Sequence, residues 1–154
     1  MTKLWYDVVK ALEGKTLVTA ESCTGGGIGS ALTSVPGSSA VYKGGVICYT
    51  NWVKKHILGV EPKLLEDFGA VSAPVAKAMA QGVRKVLEAD ISLSVTGLAG
   101  PGGDEYGNPV GTVFIGYADA QKSYANEHRF KGNREEVRNQ GVYAALEMIL
   151  SEAL

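Results

Sequence analysis

The sequence has few of the residues that bind metals or form disulfides. Its 154 residues include two cysteines, Cys23 and Cys48, and two histidines, His56 and His128. No Cys-x-x-Cys or His-x-x-x-His spacing is present, so a zinc site would need ligands from distant parts of the chain. We therefore expect neither a metal nor another cofactor. Without a secretory signal, we expect both cysteines to be reduced.

Long apolar runs and an excess of one charge are also missing. No window approaches the roughly 18 apolar residues of a membrane span, and the first residues lack the apolar core of a signal peptide. The net charge is −1 and the basic residues are scattered, whereas nucleic-acid binders carry a basic patch. We expect one cytoplasmic domain, residues 1–154, with neither membrane nor nucleic acid as a partner.

Short apolar runs rich in β-forming residues alternate with segments of helical periodicity. This alternation predicts a three-layer α/β/α sandwich with a mixed, mainly parallel sheet of about five strands. Two helix starts are marked by cap residues, Ser72 and Asn133. Strands are predicted at 15–20, 41–49, 90–96, 110–117 and 124–130, the second buried and the last two a hairpin. Helices are predicted at 4–12, 27–34, 52–58, 62–68, 73–89 and from 134 onward.

Two glycine-rich loops follow predicted strands. The first glycine loop spans residues 22–27 and contains Gly25-Gly26-Gly27, and the second spans residues 97–103. Loops at the carboxyl ends of strands form the usual binding cleft of an open α/β sheet, and the free N–H groups of a helix start attract anions. Neither loop has the Walker A or the Gly-x-Gly-x-x-Gly spacing, which argues against a kinase or a dinucleotide-binding protein.

Ser22 is the candidate nucleophile of the first glycine loop. Its base is hard to supply from His56 or His128, because neither lies near the predicted cleft. A lysine in a desolvated pocket can accept the serine proton instead. Lys54 and Lys55 both follow the strand that ends near Tyr49, and spacing alone does not choose between them. Cys23 is a second possible nucleophile, but its side chain should point away from that of Ser22 and no base is evident for it.

Several motifs, in order along nearly the whole chain, together resemble the CinA C-terminal-domain family. They include Ala20-Glu21-Ser22-Cys23-Thr24-Gly25-Gly26, Tyr49-Thr50-Asn51 followed by Lys54, Gly69-Ala70-Val71-Ser72, and Thr96-Gly97-Leu98-Ala99-Gly100-Pro101-Gly102-Gly103. The family includes stand-alone nicotinamide-nucleotide amidohydrolases of the PncC type, and this chain resembles that form.

The resemblance implies an enzyme that hydrolyses the carboxamide of nicotinamide mononucleotide to nicotinic acid mononucleotide and ammonia, a step of pyridine-nucleotide salvage. It implies that Ser22 is the nucleophile and Lys54 its base. Tyr49 and Thr96 would hydrogen-bond within this dyad or to the reacting amide. The N–H groups of two glycines would face the developing negative charge, and these are Gly25 and Gly26.

The remaining predicted site residues would contact the nucleotide substrate. Arg134, with Arg138 one turn later, is expected to bind its phosphate. Both glycine loops contribute further contacts, from Glu21, Cys23, Thr24, Gly97 and Gly100. Two alternatives stay open: a nucleotide-binding member of the same fold without catalysis, and an amidohydrolase for another metabolite. Apolar residues that look exposed, Trp5, Tyr6 and Trp52, suggest a homo-oligomer.

Overall fold

A computed structural model describes residues 2–153 and contains one five-stranded sheet with helices on both faces. The strand order is β2-β1-β3-β4-β5, and the mixed α/β fold is confirmed. β1 pairs in parallel with β2 and β3, whereas β3–β4 and β4–β5 are antiparallel. Four strands, β1, β2, β3 and β5, therefore run in the same direction and β4 alone runs against them, which agrees with the predicted mixed, mainly parallel sheet. The strands are β1 Leu17–Glu21, β2 Tyr42–Ile47, β3 Ile91–Gly97, β4 Thr112–Ala118 and β5 Ser123–Arg129.

The helices form a layer on each face of the sheet. Buried residues of α1, α2 and α6 form one core, and those of α4 and α5 form another on the opposite face, where α3 also packs. Within residues 2–153, none of the helices combines the length and the apolar character needed to cross a membrane. The α-helices are α1 Lys3–Ala11, α2 Gly27–Thr33, α3 Asn51–His56, α4 Pro62–Phe68, α5 Ala73–Val86 and α6 Arg134–Ala153, with a 3₁₀ turn at Ser38–Ala40.

Strand β2 is shorter and more exposed than predicted. Its side chains alternate between half-buried and exposed positions, whereas every residue of β1 is buried. The prediction of a buried strand at 41–49 is therefore wrong. The physical reason is its place at the sheet edge, because an edge strand has only one neighbouring strand and less cover from the helix layers. Ile47, the last residue of β2, is 56% exposed.

The two predicted helix caps have different outcomes. The Asn133 side chain accepts a hydrogen bond from the Glu136 N–H at 2.9 Å, and the Glu136 carboxylate accepts one from the Asn133 N–H at 2.9 Å. This reciprocal pair confirms the cap of α6. Ser72 precedes α5, but its hydroxyl donates to the Gly69 carbonyl instead of capping the helix.

Hydroxyl groups along β3 hold α5 and the segment before it against the sheet. The side chains of Ser92 and Ser94 donate to the carbonyls of Ala80 and Ala76 in α5. In β4, Gly116 pairs with Ser94 of β3. A Cβ on Gly116 would lie 2.5 Å from the Ala76 carbonyl oxygen. This close approach fixes the helix layer beside the end of β3, where the candidate site lies.

Two of the three aromatic residues expected on the surface are exposed. Tyr6 and Trp52 are exposed, and the Trp52 ring stacks on His56 with a centroid distance of 4.2 Å. Trp5 is instead half-buried, because its ring packs on Tyr143 of α6 at 4.8 Å.

Candidate active site

A cavity of about 460 Å³ lies at the carboxyl ends of β1 and β3. β2 and β3 flank β1 on opposite sides, so this is the point where the strand order reverses and ligands bind in open α/β sheets. The first glycine loop contributes Ser22 and Cys23 to the wall, and the second contributes Gly97 to Gly102. The opposite wall comes from the start of α3 and the start of α6. The wall also contains the polar residues Tyr49, Lys54, Thr96 and Arg134.

Ser22 is fixed by hydrogen bonds of its backbone and its side chain. It follows β1 directly, where its N–H donates to the Val95 carbonyl of β3 at 2.9 Å and its carbonyl accepts from the Gly25 N–H at 3.1 Å. The Lys54 Nζ lies 3.1 Å from the Ser22 Oγ. Because the sheet and the turn hold both backbone groups, the hydroxyl is presented at the cavity in a defined position.

Lys54 is buried although it carries an amine, with 1% of its surface exposed. Its Nζ also contacts the carbonyl oxygens of Cys48 at 2.8 Å and Tyr49 at 3.5 Å. None of the ion pairs within residues 2–153 includes Lys54. Burial therefore lowers the pKa of Lys54, since desolvation disfavours its charged form. A neutral Nζ can donate to both carbonyls and keep its lone pair for the Ser22 hydroxyl.

The structure separates the two lysines that spacing could not separate. Lys54 points from α3 to Ser22, whereas Lys55 is exposed to solvent. A helix turns about 100° per residue, so adjacent residues face different directions. Of the two lysines, Lys54 alone can therefore exchange a proton with Ser22.

The Glu21 carboxylate fills the helix start that was expected to attract an anion. It accepts hydrogen bonds from the N–H groups of Ile28 at 2.8 Å and Gly29 at 3.0 Å, and from the Thr24 hydroxyl at 2.7 Å. Glu21 is the last residue of β1 and is buried. Neither Glu21 nor Thr24 lines the cavity. The predicted contact of Glu21 with the substrate is corrected, because its carboxylate holds the first glycine loop in place. Thr24 lines a neighbouring cavity with Arg134, and its contact with the substrate stays a prediction.

The glycines of the first loop shape a turn and do not line the cavity. Gly25 and Gly26 have positive φ angles of 60° and 101°, which glycine adopts without steric cost. The Gly25 N–H is used by the Ser22 carbonyl, so it does not face the cavity as predicted. Gly26 also lies outside the cavity wall.

The second glycine loop lines the cavity as predicted, including Gly97 and Gly100. Thr96, the residue before it, also lies in the wall, but its hydroxyl donates to the Ala70 carbonyl at 2.9 Å. The hydroxyl proton is therefore not directed to the Ser22–Lys54 pair, and a contact of Thr96 with the reacting amide stays a prediction. Its effect is to hold the segment between α4 and α5 at the cavity.

Arg134 spans the rim of this cavity. Arg138 does not line it, but it lines a neighbouring cavity of about 410 Å³ together with Arg134 and Thr24. Arg134 donates from Nη1 to the Gly100 carbonyl at 2.6 Å and from Nη2 to the Tyr49 hydroxyl at 3.2 Å. The Tyr49 hydroxyl thus contacts Arg134, whereas the Tyr49 carbonyl contacts Lys54 Nζ. A contact of Tyr49 with the reacting amide stays a prediction. Arg138 donates to the carbonyls of Cys23 and Thr24, behind the first glycine loop.

The two cysteines are free thiols on opposite faces of the sheet. Cys23 belongs to the core beneath α1, α2 and α6, and Cys48 to the core beneath α4 and α5. Burial raises the pKa of Cys23 to about 11 and that of Cys48 to about 11. Both therefore stay protonated near neutral pH, which argues against Cys23 as a nucleophile. Residues 2–153 also contain no group of three His, Cys, Asp or Glu side chains placed to hold a metal.

Comparison with known proteins identifies the family of this chain. The model of the CinA C-terminal domain matches residues 2–153. The chain belongs to the CinA C-terminal domain family.

Similar proteins carry names from the same family. A putative competence-damage inducible protein of Caldanaerobacter subterraneus subsp. tengcongensis is 43% identical over 144 residues, which are 92% of this chain and 35% of that protein. A CinA-like protein of Parasynechococcus marenigrum is 53% identical over 121 residues, 79% of this chain and 29% of that protein. The chain thus spans about a third of the length of the curated relatives it matches.

A solved structure of the family has the same fold over nearly the whole chain. The crystal structure of the competence/damage inducible protein CihA from Agrobacterium tumefaciens superposes with a TM-score of 0.93 at 39% sequence identity. The match covers 97% of this chain and 93% of that chain. The CinA fold therefore accounts for the entire sheet and both helix layers described above.

Outside the second glycine loop, three residues of the wall of this CinA cavity were not predicted from the sequence. Asn51, Ala70 and Val71 line the wall. All three lie within motifs that carry the family resemblance, next to Tyr49 and Gly69. Their motifs were a usable signal, but none of these side-chain types by itself indicates chemistry, so only the cavity identifies them.

Proposed function

We propose that this CinA-family chain hydrolyses the carboxamide of nicotinamide mononucleotide, with Ser22 as nucleophile and Lys54 as its base. The observation that supports this most directly is the buried Lys54 amine, 3.1 Å from the Ser22 hydroxyl in the cavity wall. An unpaired, desolvated lysine has a stability cost, and serine–lysine pairs use such an amine as a base.

In this proposal, the neutral Lys54 Nζ accepts the Ser22 proton while Oγ attacks the carboxamide carbon. Collapse of the tetrahedral intermediate breaks the C–N bond, and Lys54 returns the proton to the departing ammonia. Water then attacks the acyl-enzyme with the same base, which releases the carboxylate and restores Ser22. The carbonyls of Cys48 and Tyr49 keep Nζ in position through both steps.

The oxyanion requires a hydrogen-bond donor next to Ser22. The N–H of Ser22 is bonded to Val95 and that of Gly25 to Ser22. The Cys23 N–H has no protein acceptor within residues 2–153, and Cys23 lines the cavity. We therefore assign the donor role to Cys23 in this proposal. One such donor typically contributes about 3–4 kcal/mol to transition-state stabilisation.

Arg134 is the phosphate ligand in this proposal. Besides Lys54, it is the only basic side chain in the cavity wall formed by residues 2–153, and it forms no ion pair with a carboxylate there. A guanidinium binds a phosphate through two parallel hydrogen bonds. One cation for the phosphate and a cavity of about 460 Å³ suit a mononucleotide.

Ammonia release from nicotinamide mononucleotide tests the proposal. We expect turnover by the wild type and a loss of at least about 1,000-fold in Ser22→Ala and in Lys54→Met, since each removes one member of a unit. Lys55→Met is the matched control and should keep wild-type turnover, because Lys55 is exposed.

The alternatives give different results in the same assay. Turnover retained in Ser22→Ala would overturn the serine mechanism. Calorimetric binding of the mononucleotide without ammonia release by the wild type would indicate a nucleotide-binding protein without catalysis. Ammonia from another amide, lost in Ser22→Ala but absent with the mononucleotide, would keep the serine–lysine chemistry and change the substrate.

A further inference from the structure

We infer that Arg138 positions the turn that follows Ser22 through hydrogen bonds to the backbone of that turn. The inference rests on the proposed function of Ser22. Arg138 Nε donates to the Cys23 carbonyl at 3.0 Å and its Nη2 to the Thr24 carbonyl at 3.4 Å. These are the two carbonyls that follow the nucleophile. Arg138 is outside the wall of the cavity that contains Ser22, and with Arg134 it lines the neighbouring cavity of about 410 Å³.

The contact of Arg138 with Thr24 continues to Ser22 through one peptide group. The Thr24 carbonyl and the Gly25 N–H belong to the same peptide, and this N–H donates to the Ser22 carbonyl at 3.1 Å. Hydrogen bonds in such a chain polarise and strengthen one another. Arg138 therefore acts on the Ser22 carbonyl, while the Ser22 N–H donates to the Val95 carbonyl of β3.

The Arg138 guanidinium packs closely against Gly25, where there is little room for a side chain. A Cβ on Gly25 would lie 3.1 Å from Arg138 Nη2, a distance tighter than nine in ten real Cβ contacts, and the φ of Gly25 is +60°. Glycine at this position therefore allows both the turn and the close approach of the arginine.

Arg138 extends from α6, a helix that is anchored in the core. α6 is anchored by buried side chains on both sides of Arg138, at Val137 and Val142. None of the ion pairs within residues 2–153 includes Arg138. Its charge is thus directed at the turn, as its lowering effect on the pKa of the Cys23 thiol also indicates, although burial outweighs that effect. The fork of a guanidinium can hold two carbonyls at once, whereas lysine offers a single ammonium.

A split between kcat and KM tests this role. We expect Arg138→Gln to lower kcat by about 30- to 100-fold with KM within about twofold, because a small displacement of a reacting atom can reduce rates about 100-fold. Arg138→Lys should recover part of the loss. Arg129→Gln, an exposed arginine on β5, is the control and should match the wild type. An unchanged kcat, or a raised KM at unchanged kcat, would overturn the inference.

A variant on the other side of the contact keeps the test valid if Arg138→Gln does not fold. Gly25→Ala pushes against the guanidinium with a side chain of one carbon. Thermal melting should show a folded protein, and kcat should fall while KM stays near the wild-type value. Wild-type kcat in folded Gly25→Ala would contradict the role of the contact.

Labelling by a fluorophosphonate separates this inference from the proposed substrate. Ser22 Oγ attacks phosphorus, fluoride leaves, and Lys54 accepts the hydroxyl proton, so the reaction needs no amide. We expect mass spectrometry to find the label on Ser22 in the wild type, at least tenfold slower labelling in Arg138→Gln, and none in Ser22→Ala.

The outcomes are distinguishable. Slow labelling of Arg138→Gln, together with no ammonia from the mononucleotide in the wild type, would keep the positioning role and reject the substrate. Equal labelling and equal turnover in both proteins would reject the positioning role and keep the substrate. A wild type that is neither labelled nor active would reject both.

Discussion

The two glycine loops lie side by side at the same edge of the sheet and contribute to the cavity in different ways. In the first, the N–H groups of Gly25 and Gly27 bond within the turn, and those of Ile28 and Gly29 bond to Glu21. In the second, six consecutive residues from Gly97 to Gly102 line the cavity. The first loop thus presents one hydroxyl, whereas the second provides a wall.

The difference comes from the charged residues beside each loop. Glu21 directly precedes the first loop and neutralises the positive end of α2 from inside the protein. The second loop is met instead by a cation, since Arg134 donates to the Gly100 carbonyl. A glycine-rich loop at a helix start is therefore an anion site only when no carboxylate of the same chain already occupies it.

Removal of the Glu21 carboxylate should have the largest effect on the first loop. Glu21→Ala leaves the N–H groups of Ile28 and Gly29 without acceptors. We expect the free energy of unfolding to fall by about 2–4 kcal/mol, because each unsatisfied buried group costs about 1–3 kcal/mol. Urea denaturation measures this.

Two further variants bracket the effect of Glu21→Ala. Glu21→Gln keeps one acceptor oxygen and should lose less stability. Glu13→Ala, at an exposed position, should change stability by less than about 0.5 kcal/mol. If Glu21→Ala were as stable as Glu13→Ala, the first loop would not be held by this carboxylate.

Replacement of Arg134 tests the wall on the side of the second loop. Arg134→Gln should raise KM for the mononucleotide by about 10- to 100-fold, because hydrogen bonds to a charged group contribute about 1.5–3 kcal/mol. Its kcat should change far less, since the first loop carries the nucleophile. Initial-rate kinetics measure both constants. A loss confined to kcat would place Arg134 in the same role as Arg138 and remove the contrast between the loops.

The pH dependence of the reaction should come from Lys54, the base of the first-loop nucleophile, and not from Arg134. Lys54 acts as a base only when neutral, and burial lowers its pKa below the ordinary lysine range. The rate should therefore be constant above this lowered pKa and fall by about tenfold per pH unit below it. The same acid limb is expected in Arg134→Gln. An acid limb that shifts along the pH axis in Arg134→Gln would show that Arg134 influences the pKa of Lys54.

Alanine in each loop gives the smallest predicted effect. Gly26→Ala places a Cβ on a residue with φ of 101°, so the free energy of unfolding should fall by about 1–2 kcal/mol. A Cβ on Gly102 would meet no heavy atom within 4 Å, and the φ of Gly102 is not positive. Gly102→Ala should therefore stay within about 0.5 kcal/mol of the wild type. Equal losses in urea denaturation would mean that both loops carry backbone constraints.

Most of the fold could be predicted because it depends on local patterns. The helix over residues 62–68 and the capping pair of Asn133 with Glu136 follow from proline, cap and periodic residues close together in sequence. The edge position of β2 could not be predicted in this way. An apolar run reads the same at an edge or in the centre, and only the strand order decides which one it is.

The sequence alone determined that Ser22 stands at the end of β1 beside a glycine turn, and that a second glycine loop ends β3. These features are local, because a strand end and a tight turn need only neighbouring residues. The tertiary structure decided which lysine is buried beside Ser22 and that Glu21 fills the start of α2. It also decided that Arg134 donates to Gly100 and Tyr49, whereas Arg138 donates to Cys23 and Thr24 of the first loop. Arg138 contacts Cys23 across 115 residues, and burial and hydrogen-bond partners at such separations exist only once the layers have packed.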